Sequence, residues 1–222
     1  GLNWYDYGAR HYDAVLGRFT TNDRFAEKYY SMSPYQYGAN SPVGNIDVNG
    51  DSIIIKPNAN GIIDQIKVLF GYDTKFQKDV KADLFQLKQD DKKVADIIGK
   101  LEESKNIHYI TMPKKGEYNS TGFNADKVKK NISQGSEIYY NPYNRRRGRN
   151  DSDMRTPRIG LAHELQHSFD VDKKVATYER TKNGILLMDI RAINTENRIR
   201  KVIGEPKRTM YGTQKVPKEL LE

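Results

Sequence analysis

The chain of 222 residues is 36% hydrophobic and 30% charged, and it contains no cysteine. The lack of cysteine excludes disulfides, thiolate catalysis and cysteine-based zinc fingers. No apolar run reaches the roughly 18 residues that a membrane-spanning helix needs, and no signal peptide is visible at the start. The net charge of +8 is compatible with a nucleic-acid partner. However, the densest basic cluster, at 145–149, lies among Asn, Asp and Ser, which favours a solvated loop or a contact with an acidic partner.

Aromatic residues alternate with turn residues over residues 1–50, which hold seven of the fifteen tyrosines and the only tryptophan, Trp4. This pattern predicts short strands joined by tight turns, and Asn49-Gly50 is a strong turn signal. No apolar face here is long enough for independent folding, and the chain opens within the pattern. We therefore expect residues 1–51 to be the β-rich end of a larger structure in a longer polypeptide, followed by a second domain at 52–222.

From residue 52 onward, short apolar runs bounded by Gly or Pro alternate with runs of helical periodicity. These predict strands at 52–55, 107–112 and 136–140, a helical region at 75–104, and helices at 158–169 and 188–203. The helical region should break near Asp90-Asp91, and Thr156-Pro157 and Gly204 are expected to cap the two later helices. The predicted class is α+β, with a mixed or antiparallel sheet and two packed helices behind a cleft.

The strongest functional signal is His163-Glu164-Leu165-Gln166-His167, within the helix predicted at 158–169. Two histidines four residues apart lie on one face of a helix and can bind the same ion. Neutral imidazoles at this spacing suit Zn²⁺, completed by one oxygen ligand and an open position. Glu164 is placed to accept a proton from a water molecule that the ion activates for attack on a carbonyl. Two incidental surface histidines are the alternative, which the apolar neighbours of the motif disfavour.

A third ligand is expected from the helix predicted at 188–203. Asp189, Ala192 and Glu196 lie on one face of it, and the small Ala192 allows the two helices to approach closely. The carboxylates are about 10 Å apart along the axis, so one binds the metal and the other can orient a histidine. We favour Glu196 over Asp189 as the metal ligand, because the longer side chain of Glu196 spans the gap between the helices more easily. Asp170 is a weaker candidate for the third ligand and is expected to support the end of its helix. The competing interpretation for Asp189 and Glu196 is that they pair with arginines on an exposed helix face.

Three further features carry weaker signals. Arg208 and Tyr211 could donate hydrogen bonds to a developing oxyanion, with a generic Pro/Gly loop as an equal alternative. The strand predicted at 136–140 could pair at a sheet edge with an extended peptide substrate, or could be an ordinary structural strand. His108, in a predicted strand, is expected to pack in the core rather than bind metal.

The first segment contains YDYGARHYD from Tyr5, LGRF from Leu16, AEKYYSMSPYQYGANSP from Ala26 and NIDVNGD from Asn45. Together these stretches resemble the C-terminal end of the Rhs-repeat core domain. The resemblance implies a large β-shell that encloses a toxin, and the variable toxin follows the core in the same polypeptide. The family usually has Asp-Pro where Asp23-Arg24 and Asp47-Val48 stand. Some relatives cut themselves near such a motif, so the resemblance does not carry self-cleavage over to this chain.

The second segment contains TPRIGLAHELQHSFD from Thr156, DIRAINTENRIR from Asp189 and GEPKRTMYG from Gly204. Over roughly residues 130–212 they resemble zincin metallopeptidases, of gluzincin-like type, that occur as type III effectors and polymorphic toxin domains. These are distantly similar to clostridial neurotoxin light chains. The resemblance implies zinc ligation by His163 and His167, a base in Glu164, an acidic ligand from the second helix, and transition-state contacts by Arg208 and Tyr211. Relatives more often carry Glu at position 189.

The leading hypothesis is a zinc endopeptidase toxin that is delivered through a secretion system, such as type VI, and cleaves proteins of a target cell. The implied cofactor is Zn²⁺, and the implied partners are a protein substrate, the Rhs shell and a neutralising immunity protein. A basic nucleic-acid-targeting toxin is the first alternative, although no nuclease constellation accompanies the basic residues. A non-catalytic segment with structural zinc is the second, although such sites are normally closed by four protein ligands.

Overall fold

The computed structural model describes residues 4–6, 10–22, 33–37, 46–47, 52–58, 61–69, 72–145 and 154–222. The predicted turn at 49–50 and most of the basic cluster, residues 146–149, lie outside these ranges.

Three short strands form an antiparallel sheet in the first segment: β1 (Trp4–Asp6), β2 (His11–Asp13) and β3 (Arg18–Phe19). Asp13 closes the turn between β2 and β3, because its Oδ1 accepts hydrogen bonds from the backbone of Val15 and Leu16. Gly17 completes the turn at φ +66°, a conformation that favours glycine. Short strands joined by a tight turn are therefore confirmed in this part of the chain.

A five-stranded mixed sheet lies at the centre of the second segment. Its strands are β4 (Ile46–Asp47), β5 (Ile53–Ile55), β6 (His108–Thr111), β7 (Ser120–Gly122) and β8 (Ser136–Tyr139). Their order is β4-β5-β6-β8-β7, in which β5, β6 and β8 are parallel while β4 and β7 are antiparallel edge strands. All three predicted strands are present. β4 comes from the first segment, so the predicted boundary at residue 51 lies between two strands of one sheet.

Six α-helices occur in the described part of the chain: α1 (Ile62–Leu69), α2 (Lys75–Asp90), α3 (Lys92–Glu102), α4 (Ala125–Lys129), α5 (Pro157–Asp172) and α6 (Leu187–Ile203). The predicted break is confirmed at Asp91, whose Oδ1 accepts from the first backbone amides of α3. Gly204 ends α6 at φ +74°, as predicted. Thr156 precedes α5, but its hydroxyl donates to Glu205 at 2.6 Å instead of capping the helix.

Helices α2, α3, α5 and α6 contribute to an apolar cluster that covers one face of the sheet. Ile55, Ile110 and Ile138 are in register across β5, β6 and β8, and all three are fully buried in the main apolar cluster. Each such side chain stabilises the fold by roughly 1.5–3 kcal/mol. α5 is buried along most of its length because it lies between the sheet and α6. Two of its buried polar residues bridge to neighbouring elements: Ser168 is hydrogen-bonded to Ser136 of β8 and Gln166 to Thr195 of α6.

A small hairpin of β9 (Met210–Tyr211) and β10 (Gln214–Lys215) follows α6. Val216, just after it, packs with Ile185, Ile190 and Ile193 in a second apolar cluster. This contact holds the hairpin against α6 and so fixes the position of Tyr211. No helix among the described residues is both long and apolar enough to cross a bilayer. The observed class is α+β with a mixed sheet, which agrees with the prediction at that level.

Candidate active site

The two histidines of the α5 motif lie side by side at the floor of a cleft. The Nε2 atoms of His163 and His167 are 3.1 Å apart, and each side chain is largely buried. The cleft has a volume of about 270 Å³. Its lining residues come from β7 and the segments flanking it, from α5, and from the α6 and β9 region: Asn119, Ser120, Thr121, Phe123, His163, Glu164, His167, Tyr178, Leu186, Met188, Asp189 and Tyr211. Sequence spacing and tertiary structure thus place both rings in one cleft.

Burial lowers the pKa of His167 well below its usual value of 6.5, and the nearby charges of His163 and Arg191 act in the same direction. Its imidazole is therefore neutral at physiological pH. A neutral imidazole offers a lone pair to a metal or a proton, so the ring is in the form that metal binding requires.

The two predicted acids occupy different sides of the histidine pair. Asp189 lines the cleft, with Oδ1 3.6 Å from Nε2 of His167. Glu196 is fully buried, and its Oε1 lies 3.0 Å from Nδ1 of His163, on the side of the ring away from His167. Because the two Nε2 atoms face each other, the acid near an Nε2 atom is the one placed to share an ion with them. This geometry favours Asp189 as the third ligand and Glu196 as the residue that orients His163, the reverse of the sequence-based preference.

Glu196 is held by arginines. Arg155 and Arg208 donate to its Oε1 at 2.6 and 2.8 Å, and the Nε of Arg200 lies 3.7 Å from Oε2. Burial alone would raise the pKa of Glu196, but the charges of Arg155 and Arg208 and the contact with His163 outweigh it and hold this pKa far below its usual value. The carboxylate is therefore charged, and its Oε1 accepts hydrogen bonds from two guanidinium groups.

The donor atoms of the cleft approach the spacing of a tetrahedral zinc site. Tetrahedral coordination at about 2.1 Å separates two ligand atoms by about 3.4 Å. The Nε2 pair at 3.1 Å and the His167–Asp189 pair at 3.6 Å both lie close to this separation. Among the described residues, however, no group of three or more His, Cys, Asp or Glu side chains is arranged so that it could hold a metal ion as it stands. The donors fit zinc in their chemistry and in these two distances.

Glu164 lies beside the histidines and is buried. Its Oε2 accepts a hydrogen bond from the hydroxyl of Thr121 on β7 at 2.9 Å. Burial raises the pKa of Glu164, opposed by His163, by the Thr121 hydrogen bond and by Arg155. A carboxyl group in a cleft with a raised pKa is typical of residues that exchange a proton during catalysis.

Tyr211 reaches the cleft, whereas Arg208 does not belong to its lining. Burial, together with the nearby charge of Asp189, raises the pKa of the Tyr211 phenol, so Tyr211 remains a proton donor. Arg208 is 9% exposed; it donates to Glu196 and to the backbone carbonyl of Met210. Its guanidinium carbon lies 5.5 Å from the centre of the Tyr211 ring. Arg208 therefore supports Glu196 and the Tyr211 segment, and the expected direct contact with an oxyanion is not favoured by this geometry.

The strand that borders the cleft is β7, not β8. The sequence predicts that the strand at 136–140 could lie at a sheet edge. This strand is β8, and it is paired on both sides, with β6 and β7. β7 is the edge strand, and its Thr121 contacts Glu164. The short polar sequence of β7 carries no strand signal, and Arg155 carries no motif, so sequence reasoning missed both Thr121 and Arg155.

The remaining predicted residues have structural contacts. His108 is fully buried, with Nδ1 2.9 Å from the hydroxyl of Ser136 and Nε2 3.6 Å from Asp172, as a core residue would be. Asp170 accepts hydrogen bonds from Gln166 and Arg191, which ties the end of α5 to α6. The expectation that Asp170 supports the helix end is therefore met.

No protein-family model matches the chain, and no curated protein or solved structure matches it. Any assignment of function therefore depends on the cleft and on the sequence motifs.

Proposed function

We propose that residues 52–222 form a zinc-dependent endopeptidase of the zincin type. The observation that carries the proposal is the pair of Nε2 atoms, 3.1 Å apart in a cleft, beside the buried carboxyl group of Glu164. In this proposal His163, His167 and Asp189 hold the ion, and Glu196 orients His163 through Nδ1. Zinc, when bound, supplies Lewis acidity that lowers the pKa of a water molecule and polarises a carbonyl group.

The side chains of the cleft perform the proton transfers and bind the substrate. Glu164 accepts a proton from the attacking water and passes it to the leaving amine, and Thr121 holds its carboxylate in position. Tyr211 keeps its proton and can donate a hydrogen bond to the oxygen on which negative charge develops. No strand of the described residues pairs with the outer side of β7, so this side offers backbone hydrogen bonds to an extended peptide, which would lie across the cleft. These features favour cleavage within a polypeptide.

The biological role follows from the resemblance of residues 1–51 to the end of an Rhs core. We propose that the endopeptidase is a toxin that travels inside the shell of the same polypeptide and is delivered through a secretion system into a target cell. An immunity protein in the producing cell would protect it by covering the cleft. A protein in the target cell is the proposed substrate.

The decisive experiment combines metal analysis with Glu164→Gln. The purified chain is expected to bind one equivalent of zinc, and expression of the wild type in the cytosol is expected to stop growth and create new protein termini. Glu164→Gln should retain the zinc and lose both effects, whereas Glu103→Gln, at an exposed position after α3, should retain them. Toxicity that persists in Glu164→Gln would refute the catalytic role, and zinc bound without Glu164-dependent cleavage would favour a structural site.

A further inference from the structure

The edge strand β7 separates two depressions on opposite faces of the sheet. Thr121 faces the helices, since its hydroxyl contacts Glu164. Side chains alternate along a strand, so Ser120 and its cross-strand partner Tyr139 face the other side. In the described part of the chain, no other strand pairs with the outer side of β7. A peptide that adds to this edge therefore directs successive side chains alternately to the cleft and to the opposite face.

The opposite face has a groove of about 830 Å³ between the sheet and the 112–119 loop. Its lining residues are Thr111, Met112, Lys114, Gly116, Glu117, Tyr118, Asn119, Ser120 and Tyr139. Asn119 and Ser120 also line the cleft, so the two depressions are continuous around the start of β7. One extended chain that lies along β7 can therefore reach both depressions.

The chemistry of the groove favours an aromatic side chain. Tyr118, Tyr139 and Met112 provide two rings and a thioether, which attract aromatic groups. The charged residues of the lining have opposite signs, and Glu117 accepts a hydrogen bond from the backbone of Lys114. The groove therefore has no net charge that would select a charged side chain.

We propose that this groove is a specificity subsite that binds an aromatic or large apolar side chain of the polypeptide substrate. Residues directly opposite each other on neighbouring strands point to the same face. The bound side chain is therefore the one opposite Ser120, next in the substrate to the residue opposite Thr121 that lies over the cleft. This inference rests on the proposed endopeptidase activity and adds the class of side chain that directs it.

The test digests a proteome-derived peptide library with the zinc-loaded full chain and identifies the new termini by mass spectrometry. Tyr118→Ala removes one ring of the groove, and Tyr118→Lys replaces it with a cation. The matched control is Tyr72→Ala, because Tyr72 is 65% exposed and lines neither depression. Melting curves establish that each variant is folded.

Wild type and Tyr72→Ala are expected to cleave peptides with an aromatic or large apolar residue at one fixed position relative to the cleaved bond. Tyr118→Ala should cleave these peptides at least about tenfold more slowly and leave the others unchanged. Tyr118→Lys should shift the preference towards acidic residues at that position. Glu164-dependent cleavage without an aromatic preference, or with one that Tyr118→Ala retains, overturns the subsite alone. The absence of any Glu164-dependent cleavage overturns the proposed function and the subsite with it.

Discussion

Replacement of Glu196 by glutamine is expected to destabilise the protein strongly. The carboxylate is fully buried, and the three guanidinium groups around it, from Arg155, Arg200 and Arg208, are each at most 9% exposed. Glu205 lies 3.2 Å from Arg200 and is a second carboxylate beside this arginine group. Glutamine keeps the shape of the side chain and removes its charge, so the variant removes the carboxylate that the three arginines share.

The magnitude follows from the cost of breaking a buried ion pair, which is about 3–5 kcal/mol when one partner is removed. In a protein of this size each kcal/mol lowers the melting temperature by about 2–4 °C, so we expect a decrease of about 6–20 °C. The assay is thermal and urea unfolding of the zinc-free protein near neutral pH, followed by circular dichroism.

Asp189→Asn is the matched control, because it also removes one buried carboxylate next to the histidines. Burial raises the pKa of Asp189 and disfavours its charged form, so asparagine should change the stability of the zinc-free protein by less than about 1 kcal/mol. For zinc affinity, measured by competition with a chelating indicator, Asp189→Asn is expected to have the larger effect of the two substitutions. Asp189→Asn should abolish tight binding, whereas Glu196→Gln should weaken it by about 10–100-fold. Equal stability of the two variants, or tight zinc binding by Asp189→Asn, would refute the assignment of the two acids.

Two further predictions concern stability away from the cleft. Burial would raise the pKa of Asp172, but the contacts with His108 and Lys173 and the hydrogen bonds from Ser104 and Asn106 outweigh it and lower this pKa, so the charged form stabilises the fold. That contribution to stability should be complete above the pKa of the unfolded state, near about 4, and should disappear as the pH falls through the lower pKa of the folded state. The difference in urea midpoint between wild type and Asp172→Asn should therefore shrink in acid. A difference that stays constant with pH would contradict this prediction. Gly135→Ala should destabilise the protein by about 1–3 kcal/mol, because the added Cβ would lie 2.1 Å from a backbone carbonyl oxygen. The control Gly99→Ala, in open space within α3, should stabilise the protein by about 0.5–1 kcal/mol. Similar urea midpoints for these two variants would show that the backbone at residue 135 moves freely.

The sequence predicted the elements whose signals are strong and local. The break at Asp91 and the end of α6 at Gly204 occur as expected, because an N-cap acid and a left-handed C-cap glycine act within one helical turn. The strands at 52–55 and 107–112 were visible as apolar runs. β7 was not, since Ser-Thr-Gly has neither apolar alternation nor β-branched runs and forms a strand only because β8 lies beside it.

The sequence by itself determined that His163 and His167 share a helix face with Glu164 beside them, because helical periodicity is a property of the local chain. Only the tertiary structure decided which acid meets which nitrogen. Asp189 and Glu196 are on the same face of α6, but the packing of α6 against α5 places Asp189 near an Nε2 atom and Glu196 near an Nδ1 atom. Arginines from distant parts of the chain then neutralise Glu196, a contact that spacing along the sequence does not encode.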